Sequence, residues 1–325
     1  MFRPDVKSGR SRLSLAWIGA LPFFAYTLLF LFLPAGEVLV GAFKSVHGGW
    51  TLSNVTGLRH EPYYTAFKTS IEVSLVTAVI GGIAGFGIAY AAIREGTPRW
   101  VRSGLTTFSG VAANFGGIPL AFAFIATLGT IGIATQFMKN QLHIDIYSNG
   151  FTLFSKTGVE IVYLYFQIPL MILVIAPAID GLKREWREAA SNLGASPFQF
   201  WRYVGVPVLM PSMLGAVILL FGNSFAAYAT AYGLTSGAVS LVPILIGAYY
   251  SGNVLDNPHL AQAMAFGMFL VLAVMMVAYI PLQRRSARWS KCWLGCGGSL
   301  HLRTSGCSWR RCISFFRCWR RSCSA

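Results

Sequence analysis

Six blocks of apolar residues, each longer than a globular core can use, constrain this chain more than any other feature. They lie at about 13–42, 70–93, 105–130, 159–182, 212–235 and 261–283. A core helix seldom needs more than about 14 apolar residues, whereas a bilayer crossing needs about 20. In hydrocarbon every backbone polar group needs a partner within the protein, so blocks of this length are expected to be helices. The chain is 55% hydrophobic and only 11% charged, less than half the charged fraction of about 25% usual in soluble domains. The predicted fold class is therefore an all-α integral membrane protein with six transmembrane helices, and its first partner is the lipid bilayer. The first block lacks the small-residue cleavage site of a signal peptide and is too long for one, so it reads as a retained span.

Lys and Arg set the orientation. With the N-terminus inside, the inner segments 1–12, 94–102, 183–202 and 284–291 hold four, three, four and four of them. The outer segments hold five: Lys44, Arg59, Lys68, Lys139 and Lys156. A three-to-one bias of this sign places both termini and the 183–211 loop in the cytoplasm. The formal charge of +15 does not imply nucleic acid, because the basic residues sit in short connections between apolar blocks and not on one face. The domain organisation follows: a basic cytoplasmic N-terminus at 1–12, a six-span body at 13–291, and a tail at 292–325. The outer connection that follows block five contains Ser240–Gly252, apolar but too short and proline-broken to cross, and reads as a re-entrant or interfacial piece. Gly81 and Gly85 form a G-x-x-x-G pair that lets a neighbouring helix approach closely.

The tail stands apart in composition. All six cysteines, Cys292, Cys296, Cys307, Cys312, Cys318 and Cys323, fall in it, together with six arginines and no acid. The intervals between these cysteines lack the C-x2-C pairs of structural zinc sites, so no metal is expected. This composition suits a disordered basic segment or a shifted reading frame, with the body ending near Lys291. The body itself has no thiol chemistry.

The most informative connection is Lys183–Pro211. Trp186, Ala189, Ala190 and Leu193 recur at i, i+3, i+4 and i+7, making one apolar stripe on a short helix. Gly194 stands where a helix ends in a left-handed residue. Ser196 is a good N-cap for a second short helix, Pro197 suits its first turn, and Pro207 is expected to stop it. The result is an L-shaped two-helix protrusion between spans four and five, shaped to enter a groove.

These residues carry a resemblance. Glu188-Ala189-Ala190, then Gly194, then Val204-Gly205-Val206-Pro207, with Pro211 beyond, resembles the EAA signature of ABC importer permeases of the binding-protein-dependent type. Val204 and Val206 stand where the family has Ile and Leu. The resemblance implies a type I importer permease in which this loop is a coupling helix docked on a separate ATP-binding subunit. Glu188 would make the polar contact, Gly194 the turn, and Ala189 and Ala190 a surface low enough to dock. It further implies a second permease subunit, as a homodimer or paired relative, an extracytoplasmic solute-binding protein, and a bacterial inner-membrane location. ATP would be bound elsewhere, so no cofactor and no enzymatic activity are expected of this chain. Within the family the chain looks most like spermidine/putrescine permeases; related branches carry ferric iron, thiamine or aminophosphonates.

Polar residues inside spans mark the candidate translocation path. Asn114, with Gly116, Gly117 and Pro119, predicts a break in span three, and Gln167 with Pro169 predicts another in span four. Asn223, Ser224 and Tyr228 form a polar strip in span five. Each of Asn114, Gln167, Asn223 and Tyr228 has an equal alternative as an interhelical hydrogen-bonding group. Residues 150–157, GFTLFSKT, approximate a phosphate loop, but Ser155 replaces its second glycine and the segment lies outside. A proton-coupled secondary transporter is the rival reading; it wants a mid-membrane carboxylate or histidine, and all five histidines lie outside the spans.

Overall fold

A computed structural model describes residues 16–45, 48–93, 97–148, 150–182, 184–192, 194–251 and 258–297. Among the described residues the regular structure is helical, apart from one antiparallel bridge between Lys44 and Trp50. Helix α1 (Ala16–Thr27) passes through a π-helical turn, Leu28–Phe32, into α2 (Leu33–Gly41). A short α3 (Ser53–Gly57) precedes the long α4 (Tyr63–Ile93). Six stretches are long and apolar enough to cross a bilayer: Leu21–Gly41, Tyr63–Ile93, Gly117–Gln141, Lys156–Asp180, Pro197–Phe225 and His259–Pro281. Their number and order are those expected, while the boundaries of three differ for local reasons.

Block three is not one helix. It divides into α5 (Arg99–Asn114), α6 (Gly117–Leu128) and α7 (Ile133–Gln141). The chain leaves the helix at Phe115, extends through Gly116 (φ −138°, ψ −164°), and re-enters at Gly117 with φ +73°. Glycine alone takes that last conformation without a steric cost, so the expected break is present. Block four behaves otherwise. Helix α8 (Lys156–Asp180) runs unbroken through Pro169 and Pro177, and the break expected near Gln167 does not occur. Its middle is backed by α4: a Cβ added at Gly85 would lie 2.6 Å from Met171 Cβ and 2.8 Å from the Ile168 carbonyl oxygen. One added at Gly81 would lie 2.8 Å from Gln167 Cβ. The G-x-x-x-G pair therefore packs two helices of this chain, close enough to hold the proline-bearing segment straight.

Block five is the third departure. Helix α11 (Val206–Phe225) ends one residue before Ala226, and after Tyr228 the chain resumes as α12 (Ala229–Thr235). The Tyr163 hydroxyl donates to the Ala227 carbonyl at 2.7 Å, which satisfies a backbone group freed by the break. Helix α13 (Val242–Ser251) is too short to cross and packs on α4 and on α14 (Pro258–Gly297); the Val242 N–H donates to Ser70 Oγ at 2.9 Å. Helix α14 passes Lys291 to reach Gly297, and residues 298–325 of the tail lie outside the described residues.

Beside a small cluster of Ala66, Val242, Ala261 and Met264, two larger apolar clusters fill the bundle among the described residues. One gathers Val73, Leu120, Tyr163, Phe166 and Leu234 around the broken helices. The other gathers Met171, Ile175, Leu209, Phe221 and Phe225 between α4, α8 and α11.

Candidate functional site

Two features qualify: the 183–211 loop at one end of the bundle, and the pair of helix breaks within it. Helix α8 ends at Asp180, and four residues later α9 (Arg184–Asn192) begins. At its end the Gly194 N–H donates to the Ser191 carbonyl at 2.9 Å and the Ala195 N–H to the Ala190 carbonyl at 3.0 Å. This pair of bonds, with Gly194 at φ +77°, is a Schellman motif. It ends α9 and redirects the chain while pairing the Ala190 and Ser191 carbonyls. Ser196 then caps α10 (Pro197–Phe200). Its hydroxyl accepts from the Gln199 N–H at 3.3 Å, and Gln199 Oε1 accepts from the Ser196 N–H at 2.8 Å. That capping box fixes the second arm.

The second arm does not stop at Pro207. A π-helical turn, Trp201–Gly205, joins α10 to α11, and Pro207 sits inside the first turn of a helix that runs on. The Val206 N–H reaches back five residues to the Trp201 carbonyl. A turn widened in this way absorbs the missing proline donor, and the helix survives.

The loop is seated by aromatics. Phe200 is buried, with the Arg187 guanidinium 5.8 Å above its ring. Trp201 Nε1 donates to the Tyr90 hydroxyl at 3.2 Å, and the two rings meet edge-on at 4.7 Å. Glu188, Ala189 and Gly194 lie exposed, Ala190, Val204 and Pro207 half-buried. Phe198 and Tyr203 are 72% and 60% exposed. Among the described residues, the only element against which α9 packs substantially is α10. The loop therefore presents Glu188, Ala189 and Phe198 outward on a rigid, capped frame, a geometry suited to entering a cleft.

At the breaks, the Gly117 N–H donates to Thr230 Oγ1 at 2.8 Å. This bond ties the start of α6 to the start of α12, so the two discontinuities face each other. Asn114 ends α5, exposed, its Nδ2 donating to the Gly110 carbonyl at 2.8 Å. Tyr228 lies on the other side of this junction, partly exposed and stacked on Tyr232 with ring centroids 5.4 Å apart. Asn223 is exposed on the last turns of α11. Gln167 is different and shows the alternative role, an interhelical hydrogen bond. It is fully buried, and its Nε2 donates to the Leu220 carbonyl at 3.0 Å. Beside it the Thr77 and Ser224 hydroxyls meet at 3.0 Å. Gln167 thus belongs to a polar junction of α4, α8 and α11 and faces no open surface. Ser224 belongs to the polar strip expected in span five, whereas Thr77 and Thr230 are not singled out by sequence, although hydroxyls within apolar blocks are a readable signal.

Charged groups keep to the ends. Lys156 pairs with Glu72 at 2.5 Å, Lys139 with Asp145 at 3.0 Å, and Arg102 with Asp180. Asp145 lies outside the spans; the bond from Lys139, then the Tyr147 N–H, holds its carboxyl below the usual range. In GFTLFSKT, Ser155 caps α8 by accepting from the Gly158 N–H, and Leu153 is fully buried, so this segment is a helix start.

Comparison with known proteins agrees with this architecture. Residues 148–289 match the family described as "Binding-protein-dependent transport system inner membrane component". A probable sulfate transport system permease of Nephroselmis olivacea is 24% identical over 255 residues, 76% of this chain and 85% of that one. A spermidine/putrescine transport system permease homologue of Mycoplasma pneumoniae is 25% identical over 278 residues, 81% of this chain and 89% of that one. Among solved structures, a bacterial ABC transporter that imports alginate has a chain matching with TM-score 0.66 at 17% identity, over 83% of this chain and 95% of that one. Over residues 148–289 by family match, and over most of its length by fold, this chain is similar to inner-membrane permease subunits of ABC importers, and its described residues include six helices long and apolar enough to cross a bilayer.

Proposed function

We propose that this chain forms half of the translocation pathway of an ATP-driven importer and receives its power stroke through Lys183–Pro211. The observation that carries the reading is the Schellman-turned, capped L of α9 and α10, which holds Glu188 and Ala189 outward on a frame seated against Tyr90. A lever works only if its two orientations bind the partner differently and its shape survives the stroke. The partner is a cytoplasmic ATP-binding subunit. A second permease subunit completes the path, and an extracytoplasmic binding protein delivers the solute. The charge bias of the connections orients the loop and both termini toward the cytoplasm of a bacterial cell. Asn114, Asn223 and Tyr228 are the path candidates we retain, around the paired breaks, where irregular backbone can line a cavity.

For the solute we keep a polyamine as the first reading, in line with relatives named as spermidine/putrescine permease homologues. Sulfate is the second, favoured by the naming of several relatives as sulfate permeases. Uptake of labelled spermidine and of labelled sulfate by the reconstituted complex separates them.

The test of coupling uses Glu188→Arg and Gly194→Val. The first reverses the charge on the docking face; the second places a β-branched residue at φ +77°, where L-residues are strained. Both variants should insert normally, lose the co-purifying ATPase, and lower uptake at least about tenfold, a modest coupling loss. Normal uptake by either would overturn the assignment.

A further inference from the structure

The ion pair between Arg102 and Asp180 is poorly explained by local stability. Arg102 sits in the first turn of α5 and Asp180 is the last residue of α8. Each charge is at the helix end that the macrodipole disfavours. Both side chains are also well hydrated, 46% and 38% exposed, and ion pairs of that kind add little to the folded state. What the two residues gain is each other, and what they join is specific. Asp180 lies four residues before the start of α9. Arg102 lies on the helix that runs to the break at Phe115–Gly116.

The remainder of α5 lies along α8 and is held there by apolar packing, Leu105 included, with no second polar tie among the described residues. Among the described residues, no other side chain of α5 makes a polar contact outside its own helix: Thr106 and Asn114 bond back within it, and the buried Ser109 hydroxyl has no partner. Its buried face is of small residues, Ser109 and Ala112. A helix held by one polar tie at its loop end, with a smooth face and a glycine break at its other end, can be moved as a rod. The second seat of the loop, Trp201 on Tyr90, engages α4 and not α5.

We propose that Arg102–Asp180 is the strut by which the 183–211 loop drives the broken third span. Arg102 and Asp180 are positioning residues: they transmit the stroke to the break and touch neither solute nor nucleotide. This rests on the reading of 183–211 as the coupling loop.

The test uses the full chain co-expressed with its ATPase and partner subunits. The six tail cysteines are changed to Ser and Phe115→Cys is introduced, which is straightforward because residues 1–291 contain no cysteine. Two quantities are read in membrane vesicles: ATPase retained on the purified chain, and the change in maleimide reactivity at position 115 on adding ATP with vanadate. Arg102→Ala and Asp180→Ala should keep the ATPase and diminish the reactivity change about threefold to fivefold, the low end of coupling magnitudes and within what a hydrated ion pair can supply. The swap Arg102→Asp with Asp180→Arg should restore at least half of it, and Arg99→Ala should leave it intact. A full response in either single variant, a swap that restores nothing, or an equal loss in Arg99→Ala would each overturn the strut while leaving the docking reading in place. Absence of ATPase from the unsubstituted chain would overturn both. Should a single variant fail to reach the membrane, the swap, which keeps both charges, carries the test.

Discussion

Gln167 shows how one buried amide is assigned. A glutamine in a span is either exposed to a solute or hydrogen-bonded between helices, and sequence does not separate the two. Here α4 settles it, because Gly81 lets that helix close over Gln167, where a Cβ added at 81 would lie only 2.8 Å from Gln167 Cβ. The amide donates to the Leu220 carbonyl, and Oε1 finds no partner among the described residues. Gln167→Leu keeps the volume, removes that unpaired acceptor and gives up one interhelical bond. Such bonds in membranes average well under about 1 kcal/mol, and a buried unpaired polar atom costs a similar amount or more. The variant should therefore change thermal stability in detergent by less than about 1 kcal/mol in either direction and leave uptake intact. A large fall in uptake at unchanged stability would return Gln167 to the solute path.

At the level of elements, helices were legible where composition forces them and their interruptions were legible only where glycine marks them. Gly116 and Gly117 announced the break in block three. The break at 226–228 has no glycine or proline, since it depends on Tyr163 of α8 and the Gly117 N–H of α6 meeting it from other helices. Prolines misled in the opposite direction: Pro207 is absorbed by the π-helical turn, and Pro169 lies in a helix pinned by α4. The L of the 183–211 loop was legible because its turn and caps are local, Gly194 and Ser196 being the residues that those conformations demand. A non-local tie governs the segment after α7. Asp145 accepts from Lys139 Nζ at 3.0 Å and from the Tyr147 N–H at 3.0 Å, and its carboxyl is held below the usual value, first by Lys139. A depressed carboxyl stabilises above its unfolded value of about 3.9, and that contribution is lost as pH falls through the lower folded value. Hydrogen exchange across 142–152, corrected for the intrinsic pH dependence, should be constant from pH 5 to 8 and accelerate only below about pH 4. Asp145→Asn should accelerate it throughout. Acceleration of the unsubstituted protein between pH 5 and 6 would contradict this assignment.

Across the whole molecule, polar and apolar are distributed as a bilayer requires. The exterior carries Phe30, Ile83, Val111, Phe122 and Val277, each more than half exposed, while Thr77, Gln167 and Ser224 sit in the interior. Lipid tails are as apolar as leucine, so burying an apolar side chain between helices gains packing and not transfer from water. Stability should therefore follow contact, not hydrophobicity, and two phenylalanines test this. Phe24 on α1 is 57% exposed, in a span of which none of the apolar window is buried. Phe221 on α11 is 2% exposed and stacks on Phe225 with centroids 5.5 Å apart. In the isolated chain in detergent, Phe24→Ala should cost no more than about 0.5 kcal/mol, the usual range for surface changes. Phe221→Ala should cost about 3 kcal/mol, the low end for a buried phenylalanine because no transfer from water is lost. At about 2–4 °C per kcal/mol for a chain of this size, the second variant should melt roughly 6–12 °C lower while the first hardly moves. Equal shifts would mean that the exposed faces are stabilised by solvophobic burial, and the bilayer would not be the medium for which this surface is built.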